Sequence, residues 1–200
     1  MIKVFIDGKE GTTGLRIYDR LCDRDDIELI ILPEEERKNA EQRRRAINES
    51  DISFLCLPDA AAIEAEQMAE NPNTVIIDTS TAHRTNPGWA YGFPELSKGH
   101  LQAVQESKRI AVPGCHAGGF IALIDPLVKG GILPRSALLT SYSITGYSGG
   151  GKKMIAEYEK EERSPLLAAP RQYGLTQQHK HLKEMKYITG LENAPIFCPV

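Results

Sequence analysis

The stretch that decides the fold is MIKVFIDGKEGTTGL, at positions 1–15. Ile2–Ile6 is a short apolar run rich in β-branched residues, which is typical of a buried strand. Gly8, Gly11 and Gly14 follow it, and Leu15–Cys22 then has apolar residues at helical spacing. Glycine lets backbone amides approach a phosphate closely, and the N-terminus of the following helix attracts an anion. Strand, glycine turn and helix in this order predict a nucleotide-binding unit.

The same turn supplies the predicted cofactor site. Thr12 and Thr13 add hydroxyl donors to its three glycines. The spacing GxxGxxG is a variant of the dinucleotide fingerprint GxGxxG, and a Walker loop is excluded because no Gly-Lys-Ser/Thr ends it. Pro58, which ends a later predicted strand, is assigned to the same site. A purely structural turn is the alternative.

Strands and helices alternate along the first half of the chain, which predicts βαβ units with a parallel sheet. The predicted strands after the first are Ile27–Leu32, Ile52–Leu57, Val75–Asp78, Ile110–Val112, Leu138–Ile144, Ile188–Gly190 and Ile196–Val200. The predicted helices after the first are Glu34–Asn48, Asp59–Glu70, Ala117–Val128 and Met154–Arg163. Thr79–Phe93 is predicted to be a loop.

The residues after the second predicted strand bear on the choice between NAD and NADP. An acid there suits a ribose 2′-hydroxyl, and a cation suits a 2′-phosphate. The run Glu34–Lys38 contains three glutamates followed by Arg37 and Lys38, so it does not choose between the cofactors. A solvated helix face is the alternative interpretation of this charge run.

Composition limits the functional class. The chain has 200 residues and a net charge of −3, which gives no reason to expect nucleic acid or an anionic membrane as partner. No apolar run has the ~20 residues of a membrane helix, and the first residues form a strand rather than a signal peptide. The four cysteines include no CxxC pair, so we expect no metal site and a reducing, cytoplasmic location.

Cys115 is the candidate nucleophile. It follows Pro113-Gly114 between a predicted strand and a predicted helix, where the positive end of the helix dipole favours thiolate. A thiolate with backbone N–H groups nearby can perform acyl chemistry. A small packed residue at a strand–helix junction is the alternative. The other three cysteines, Cys22, Cys56 and Cys198, are predicted to lie in the core.

Histidines supply the candidate acid/base. His179 or His181 could handle the proton that thioester chemistry requires, because imidazole titrates in the right range. His83 and His100 are predicted to lie in a loop or on the surface. Metal binding by the pair is disfavoured because no acidic or cysteine partner has suitable spacing.

Two further loops could bind an anion. Ser80 and Arg84 follow a predicted strand, where open α/β sheets bind ligands, and could hold an anionic group. A surface arginine is the alternative. Ser148 and Gly149 belong to a second glycine-rich turn that could hold a substrate phosphate or carboxylate. A flexible loop over the site is the alternative there.

These motifs together resemble those of the N-acetyl-γ-glutamyl-phosphate reductases, in the shorter of their two sequence types. The matching segments run through the whole chain and are FIDGKEGTTGL, FLCLPD, IDTSTAHR, GWAYGFPEL, VPGCHAGG, GYSGGGKKMIAEYE and QHKHLKEM. The PGC and HKH elements occur in looser form in the related aspartate-semialdehyde dehydrogenases.

The resemblance implies an α/β protein with a Rossmann-type NADP(H) domain over 1–115 and an α+β catalytic and oligomerisation domain over 116–200. It implies that Cys115 is the nucleophile, with His181 as acid/base and His179 near the nicotinamide or substrate. It also implies an acyl phosphate substrate, released inorganic phosphate and a homo-oligomer. The family more commonly has Pro-Gly-Cys-Tyr-Pro-Thr, whereas this chain has His116 after the cysteine. This departure keeps the thiol position, so it affects how the following helix begins more than it affects the chemistry.

The resemblance also concerns length. Family members continue through further strands and a helix, so we expect the chain that stops at Val200 to be incomplete. The alternatives are an aspartate-semialdehyde or carrier-linked dehydrogenase, a thiol hydrolase or acyltransferase without nicotinamide, and a non-catalytic nucleotide sensor.

Overall fold

The computed structural model describes residues 1–200. The chain divides into two compact units, Met1–Pro113 and Gly114–Val200. This division falls two residues before the predicted boundary, so the candidate nucleophile lies in the second unit.

The first unit is a parallel α/β sheet, as predicted. Its strands are β1 Ile2–Asp7, β2 Ile27–Ile30, β3 Ile52–Leu55, β4 Val75–Asp78, β5 Ala90–Tyr91 and β6 Arg109–Ala111. Its helices are α1 Thr12–Leu21, α2 Ala40–Glu49, α3 Asp59–Gln67 and α4 Lys98–Glu106. The strand order is β2-β1-β3-β4-β6-β5, and every neighbouring pair is parallel.

The core of this unit forms between the sheet and its helices. Phe5, Leu55 and Ile76 from three neighbouring strands are buried with Ile47 of α2. Strands of a parallel sheet with helices on its faces have continuous apolar runs, which is why the sequence pattern revealed them.

Two predictions for this unit were wrong in detail. The helix expected over Glu34–Asn48 begins only at Ala40, because the Asn39 side chain accepts hydrogen bonds from the amides of Glu41 and Gln42 and caps it there. Helix α4 was not predicted, although Ser97 caps it through the His100 amide.

The second unit contains fewer strands. Its elements are α5 Cys115–Lys129, β7 Thr140–Ser143, α6 Gly151–Glu159, α7 Lys180–Thr189 and β8 Ile196–Pro199. Helix α5 packs against α7, and β7 pairs in parallel with β8. No helix of either unit has the length and apolar character required to cross a bilayer.

The largest error in the second unit concerns α7. The strand expected at Ile188–Gly190 is instead the end of this helix, where Gly190 has φ +70 and terminates it in the left-handed conformation. The helix expected over Met154–Arg163 begins and ends earlier, as α6.

Candidate active site

The glycine turn after β1 is closely packed. The carbonyl of Gly8 accepts a hydrogen bond from the Gly11 amide at 2.9 Å, and Gly8 has φ +83. A Cβ at Gly8 would lie 2.3 Å from the Cys56 carbonyl oxygen, and one at Gly14 would lie 2.4 Å from the Gly8 carbonyl oxygen. Glycine is therefore required at both positions by the approach of neighbouring backbone.

Helix α1 begins at Thr12, within the predicted motif. No side chain caps its N-terminus. Its first amides, from Thr12, Thr13 and Gly14, have no acceptor within the helix, and the helix dipole adds partial positive charge at this end. The turn thus has the properties of an anion-binding site.

A cavity of about 320 Å³ lies beside this turn. Its walls combine Gly8 with the apolar end of β2, and both Arg37 and Lys38 line it. The lining also contains Lys9 and Arg43, together with Asp7 and Glu10. An apolar slot with several basic side chains suits a nucleoside that carries a phosphate, so the residues of this unit fit a nicotinamide dinucleotide with a 2′-phosphate.

A buried ion pair fixes the end of β1. The Arg43 guanidinium donates to both carboxylate oxygens of Asp7, at 3.3 and 3.0 Å from Nε, and both side chains are almost fully buried. Burial raises the pKa of Asp7, and the guanidinium opposes that rise. The sequence pattern gave no sign of this pair because Arg43 lies in a run of three exposed-looking arginines.

The loop after β4 contains Ser80 and Arg84, and the structure buries both. The Ser80 hydroxyl donates to the Asp78 carboxylate at 2.7 Å, and the Arg84 guanidinium donates to the Thr79 carbonyl at 2.9 Å. Their geometry is therefore fixed by the protein itself.

His83 lies in the loop after β4, as predicted, but it is buried rather than exposed at the surface. Its Nδ1 is 2.7 Å from Asp78 Oδ2, and its ring stacks on Trp89 with centroids 4.0 Å apart. The buried carboxylate of Asp78 thus organises the loop after β4.

Cys115 is the first residue of α5 and is exposed. Gly114 caps the helix without a side-chain contact, and its amide donates to the buried Glu184 carboxylate of α7 at 2.8 Å. This bond fixes the backbone directly before the thiol. The site therefore presents a thiol at the positive end of a 15-residue helix.

The other cysteines differ from this one. Cys22 is exposed, so its prediction as a core residue was wrong. Cys56 and Cys198 are partly buried. Burial raises the pKa of the Cys56 thiol to about 11, which makes it a poor nucleophile.

His116 connects three segments around the thiol. Its Nδ1 lies 2.6 Å from Ser143 Oγ at the end of β7, and its Nε2 lies 2.7 Å from the Tyr173 hydroxyl. Burial, with a contribution from the charge of His179, lowers the pKa of His116, so the ring is held neutral. The sequence suggested His116 only as a departure from the family motif and gave no sign of this role.

The rings of His179 and His181 lie close together, although the two residues are not adjacent in the sequence. His179 precedes α7 in extended conformation and caps it, since its Nδ1 accepts from the His181 amide at 3.2 Å. The two ring centroids are 4.7 Å apart, and each lies within 6.0 Å of the His116 ring. Burial lowers the pKa of His179, with a further contribution from the charge of Lys180.

These groups surround one cavity of about 550 Å³ in the second unit. Cys115, His179 and His181 line it, and Tyr173 faces the thiol closely enough that the charge of Cys115, after burial, raises the tyrosine pKa. Gly149 of the second glycine turn also lines the cavity, whereas Ser148 is exposed beside it.

Comparison with known families agrees with the division of the chain into the units Met1–Pro113 and Gly114–Val200. Residues 32–104 match the semialdehyde dehydrogenase NAD binding domain, and residues 115–200 match the semialdehyde dehydrogenase dimerisation domain. The chain belongs to the semialdehyde dehydrogenase family.

Curated relatives of this chain are named N-acetyl-gamma-glutamyl-phosphate reductases. The protein of Rhizobium meliloti (strain 1021) is 50% identical over 199 residues, which cover 98% of this chain and 64% of the relative. That of Burkholderia orbicola (strain MC0-3) is 45% identical over 196 residues, covering 98% and 63%. The chain thus spans less than two thirds of the length of these relatives.

Solved semialdehyde dehydrogenases share the fold. Aspartate semialdehyde dehydrogenase II of Vibrio cholerae, complexed with ASA, superposes with a TM-score of 0.65 at 14% identity, over 100% of this chain and 69% of that one. The aspartate semialdehyde dehydrogenase of Candida albicans, solved with NADP, superposes with a TM-score of 0.58 at 14% identity, over 100% and 67%.

Proposed function

We propose that this chain carries the catalytic thiol of an NADPH-dependent reductase that converts N-acetyl-γ-glutamyl phosphate to N-acetyl-L-glutamate 5-semialdehyde and inorganic phosphate, a step of arginine biosynthesis. The observation that carries the proposal is the cavity in which the Cys115 thiol, at the start of α5, faces two histidines. The names of the relatives supply the substrate.

Cys115 is the nucleophile in this proposal. Its thiolate attacks the acyl carbon, a C–S bond forms, the C–O bond to phosphate breaks, and inorganic phosphate leaves with that electron pair. The Gly114–Glu184 hydrogen bond holds the backbone before the thiol in place during this step. The amides at the start of α5 stabilise the negative charge that develops on the acyl oxygen.

The two histidines have different roles. His179 uses Nδ1 to cap α7, so protonation of that nitrogen would break the cap. We therefore assign His179 as a neutral group that donates from Nε2 to substrate. His181 is the acid/base: it donates a proton to the oxygen when the thioester is reduced, and it takes this proton back as the hemithioacetal collapses to the aldehyde, the C–S bond breaks and the Cys115 thiolate leaves.

The first unit binds the cofactor in this proposal. Bound NADPH supplies the hydride that reduces the thioester. The turn residues Gly8, Gly11, Thr12, Thr13 and Gly14 hold the pyrophosphate, and Arg37 and Lys38 face the 2′-phosphate. Pro58, which precedes α3 in extended conformation and follows Leu57 of the cavity lining, is assigned to the same site.

Two loops, one in each unit, are proposed as separate anion sites for the substrate phosphate or carboxylate. Ser80 and Arg84 form one, because the network around Asp78 fixes both side chains. Ser148 and Gly149 form the other, where a glycine turn borders the thiol cavity.

A second copy of the chain is the proposed protein partner. Tyr142 of β7 and Ile196 of β8 are large apolar residues of the two-stranded sheet and are 63% and 59% exposed. The family description of this unit as a dimerisation domain supports a homo-oligomer. Sedimentation should show self-association that Tyr142→Lys weakens; a monomeric wild type would refute it.

The cellular location is proposed to be the cytoplasm. All four cysteines are free, which suits a reducing compartment.

The function is tested by following NADP⁺ reduction with N-acetylglutamate semialdehyde and phosphate. We expect turnover that Cys115→Ser abolishes while NADPH binding, measured by fluorescence, is retained. Cys22→Ser is the matched control, because it removes an exposed thiol outside the site.

Other outcomes would identify the rival functions. Turnover of aspartate semialdehyde alone would replace the proposed substrate. Thiol-dependent hydrolysis without NADPH binding would favour a hydrolase or acyltransferase. Function retained in Cys115→Ser would favour a nucleotide sensor.

A further inference from the structure

The loop after β4 is built around a carboxylate that the protein buries completely. Asp78 is 0% exposed, and its partners come from the loop itself. Its Oδ1 accepts a hydrogen bond from the Ser80 amide at 2.8 Å. Its Oδ2 accepts from the Ser80 hydroxyl at 2.7 Å and lies 2.7 Å from His83 Nδ1. A buried charge needs such donors around it, so both side chains are committed to Asp78.

This arrangement uses the only proton of the Ser80 hydroxyl. A hydroxyl has one proton to donate, and here it points to Asp78, because an ionised carboxylate can only accept. The Ser80 oxygen also accepts a hydrogen bond from the Ala82 amide at 3.1 Å. Ser80 therefore has no donor left for an anion, although its place in the loop suggested one.

His83 keeps one ring nitrogen for another partner. Because the Asp78 carboxylate accepts, Nδ1 carries a proton and donates it. Nε2 has no hydrogen-bond partner in the chain, although the residue is only 7% exposed. This nitrogen is not sealed from solvent, so a ligand can reach it. Polar atoms of buried side chains normally have a partner, and an unpaired nitrogen on a buried ring indicates a place for one.

Two contacts fix the His83 ring. Asp78 holds its Nδ1, and its face stacks on Trp89 with centroids 4.0 Å apart and planes 8° apart. A ring that takes up a second proton together with an anion keeps both contacts. The carboxylate then forms a charge-assisted hydrogen bond with it, and the indole face attracts a cation. In that state Nε2 is a donor whose direction the protein has already set.

Arg84 is tied to the same end of β4. Its Nη2 donates to the Thr79 carbonyl at 2.9 Å, and Thr79 directly follows the Asp78 that holds His83. The guanidinium and the imidazole are thus anchored to adjacent residues. Ligands of open α/β sheets bind at the carboxyl ends of the parallel strands, where this loop lies.

We infer that His83 donates from Nε2 to the anion bound at the loop after β4, and that Ser80 positions His83 through Asp78 without contacting that anion. This inference rests on the anion site of the proposed function. It changes which side chain of the loop meets the ligand.

The first experiment measures anion binding without turnover. Trp89 is the only tryptophan and lies against His83, so its fluorescence reports this site. The protein is titrated with inorganic phosphate and, separately, with acetate, at an ionic strength held constant with chloride. We expect a saturable change, and the anion that binds more tightly identifies the substrate group, phosphate or carboxylate, that the loop holds. No saturable change with either anion would overturn the inference.

Two substitutions separate the nitrogens of His83. The amide of His83→Asn can replace Nδ1 toward Asp78 but does not extend to Nε2, whereas the amide of His83→Gln can replace Nε2. We expect His83→Asn to weaken anion binding by about tenfold, the size of one hydrogen bond to a charged group. His83→Gln should weaken it less. Wild-type affinity in His83→Asn would refute the role of Nε2.

Ser80→Ala tests the other half of the inference. It removes one donor from Asp78 and should weaken anion binding by only about threefold, because His83 remains in place. A larger loss in Ser80→Ala than in His83→Asn would assign the anion to Ser80 and reject the inference. His100→Asn removes a histidine from α4 of the same unit and is the matched control, with wild-type affinity expected. Circular dichroism during urea unfolding checks that each variant folds.

A second measurement needs no substitution. Diethyl pyrocarbonate acylates an accessible neutral imidazole nitrogen, and peptide mapping by mass spectrometry follows His83 separately from His100. In the wild type, the anion that binds should slow modification of His83 in proportion to the occupancy measured by fluorescence, and should leave His100 unaffected. Equal modification of His83 with and without the anion would contradict a contact at Nε2.

Turnover distinguishes this inference from the proposed reaction. During NADP⁺ reduction with N-acetylglutamate semialdehyde and phosphate, His83→Asn should raise the KM of the reactant that supplies the anion by about tenfold and change kcat less. A chain that binds the anion through His83 without turnover would reject the proposed reaction and retain the site. An active reductase whose anion binding is independent of His83 would do the reverse.

Discussion

Gly8–Gly14 and Gly146–Gly151 both join a strand to a helix through several glycines, yet the surroundings of those glycines differ. In the first turn, Cβ atoms at Gly8 and Gly14 would lie 2.3 and 2.4 Å from backbone oxygens. In the second turn, a Cβ at Gly151 would meet nothing within 4 Å, and only its φ of +73 requires glycine.

The difference distinguishes two uses of glycine. The first turn needs glycine because β1, β3 and α1 approach one another closely, which makes it part of the folding core of its unit. The second turn borders the thiol cavity, and a Cβ at Gly150 would meet only the Met154 side chain, at 2.6 Å, so no backbone packs closely against its glycines. A glycine-rich motif therefore does not by itself say which of these purposes it serves.

The largest effect is expected for Gly8→Ala. The methyl group would meet the Cys56 carbonyl, and the backbone would keep a positive φ that alanine disfavours. Overpacking and strain together should lower the free energy of unfolding of the first unit by about 3 kcal/mol or more. Trp89 is the only tryptophan, so its fluorescence during urea unfolding reports this unit. A loss below about 1 kcal/mol would refute close packing as the reason for this glycine.

Gly14→Ala should have the next largest effect. This residue lies inside α1, where alanine is intrinsically favoured by about 1 kcal/mol, but the methyl group would lie against the Gly8 backbone. We expect a net destabilisation of about 2 kcal/mol, measured by the same Trp89 signal. Arg16→Ala, on the exposed side of α1, is the control and should be neutral. Stabilisation by Gly14→Ala would show that helix propensity outweighs the contact.

Gly151→Ala should cost less, about 1 kcal/mol, because strain is its only penalty. The loss should appear in the second unit alone, which contains five of the seven tyrosines and can be followed by tyrosine absorbance. Gly119→Ala is a matched control: its Cβ would also meet nothing within 4 Å, and its φ is not positive. A larger loss for Gly151→Ala than for Gly14→Ala would mean that backbone strain outweighs close packing in these turns.

The sequence predicted the fold well where one physical signal dominated. Continuous apolar runs revealed β1, β3 and β4, and Val75–Asp78 was predicted to the residue. The start of helix α2 was predicted too early because the preceding turn is as rich in charged residues as the helix itself. The helix begins instead where the Asn39 side chain caps it. Such a cap is visible only when backbone and side chain are placed together.

The candidate site was predicted unevenly for a similar reason. Cys115, His179 and His181 were found from local context and family resemblance, and their place in one cavity agrees with those assignments without testing their roles. His116 and Glu184 were missed, since each acts through a partner distant in the chain. The burial of His83 was missed because its buried partner Asp78 gives no sequence signal.

The smallest effect is expected from a change of pH, and it concerns two histidines, His116 and His179, that line the cavity beside the second turn. Burial lowers the pKa of His116 and His179, so the folded unit binds fewer protons than the unfolded chain in the window just below their ordinary value of 6.5. Stability is then fully present above that value and falls as pH decreases through it. Thermal unfolding of the second unit should accordingly occur at lower temperature at mildly acidic than at neutral pH, with a difference smaller than that caused by Gly151→Ala. His116→Gln removes one of the two groups and should flatten this dependence, even if it lowers stability at every pH; an unchanged slope would show that the neutral state of His116 contributes nothing to it.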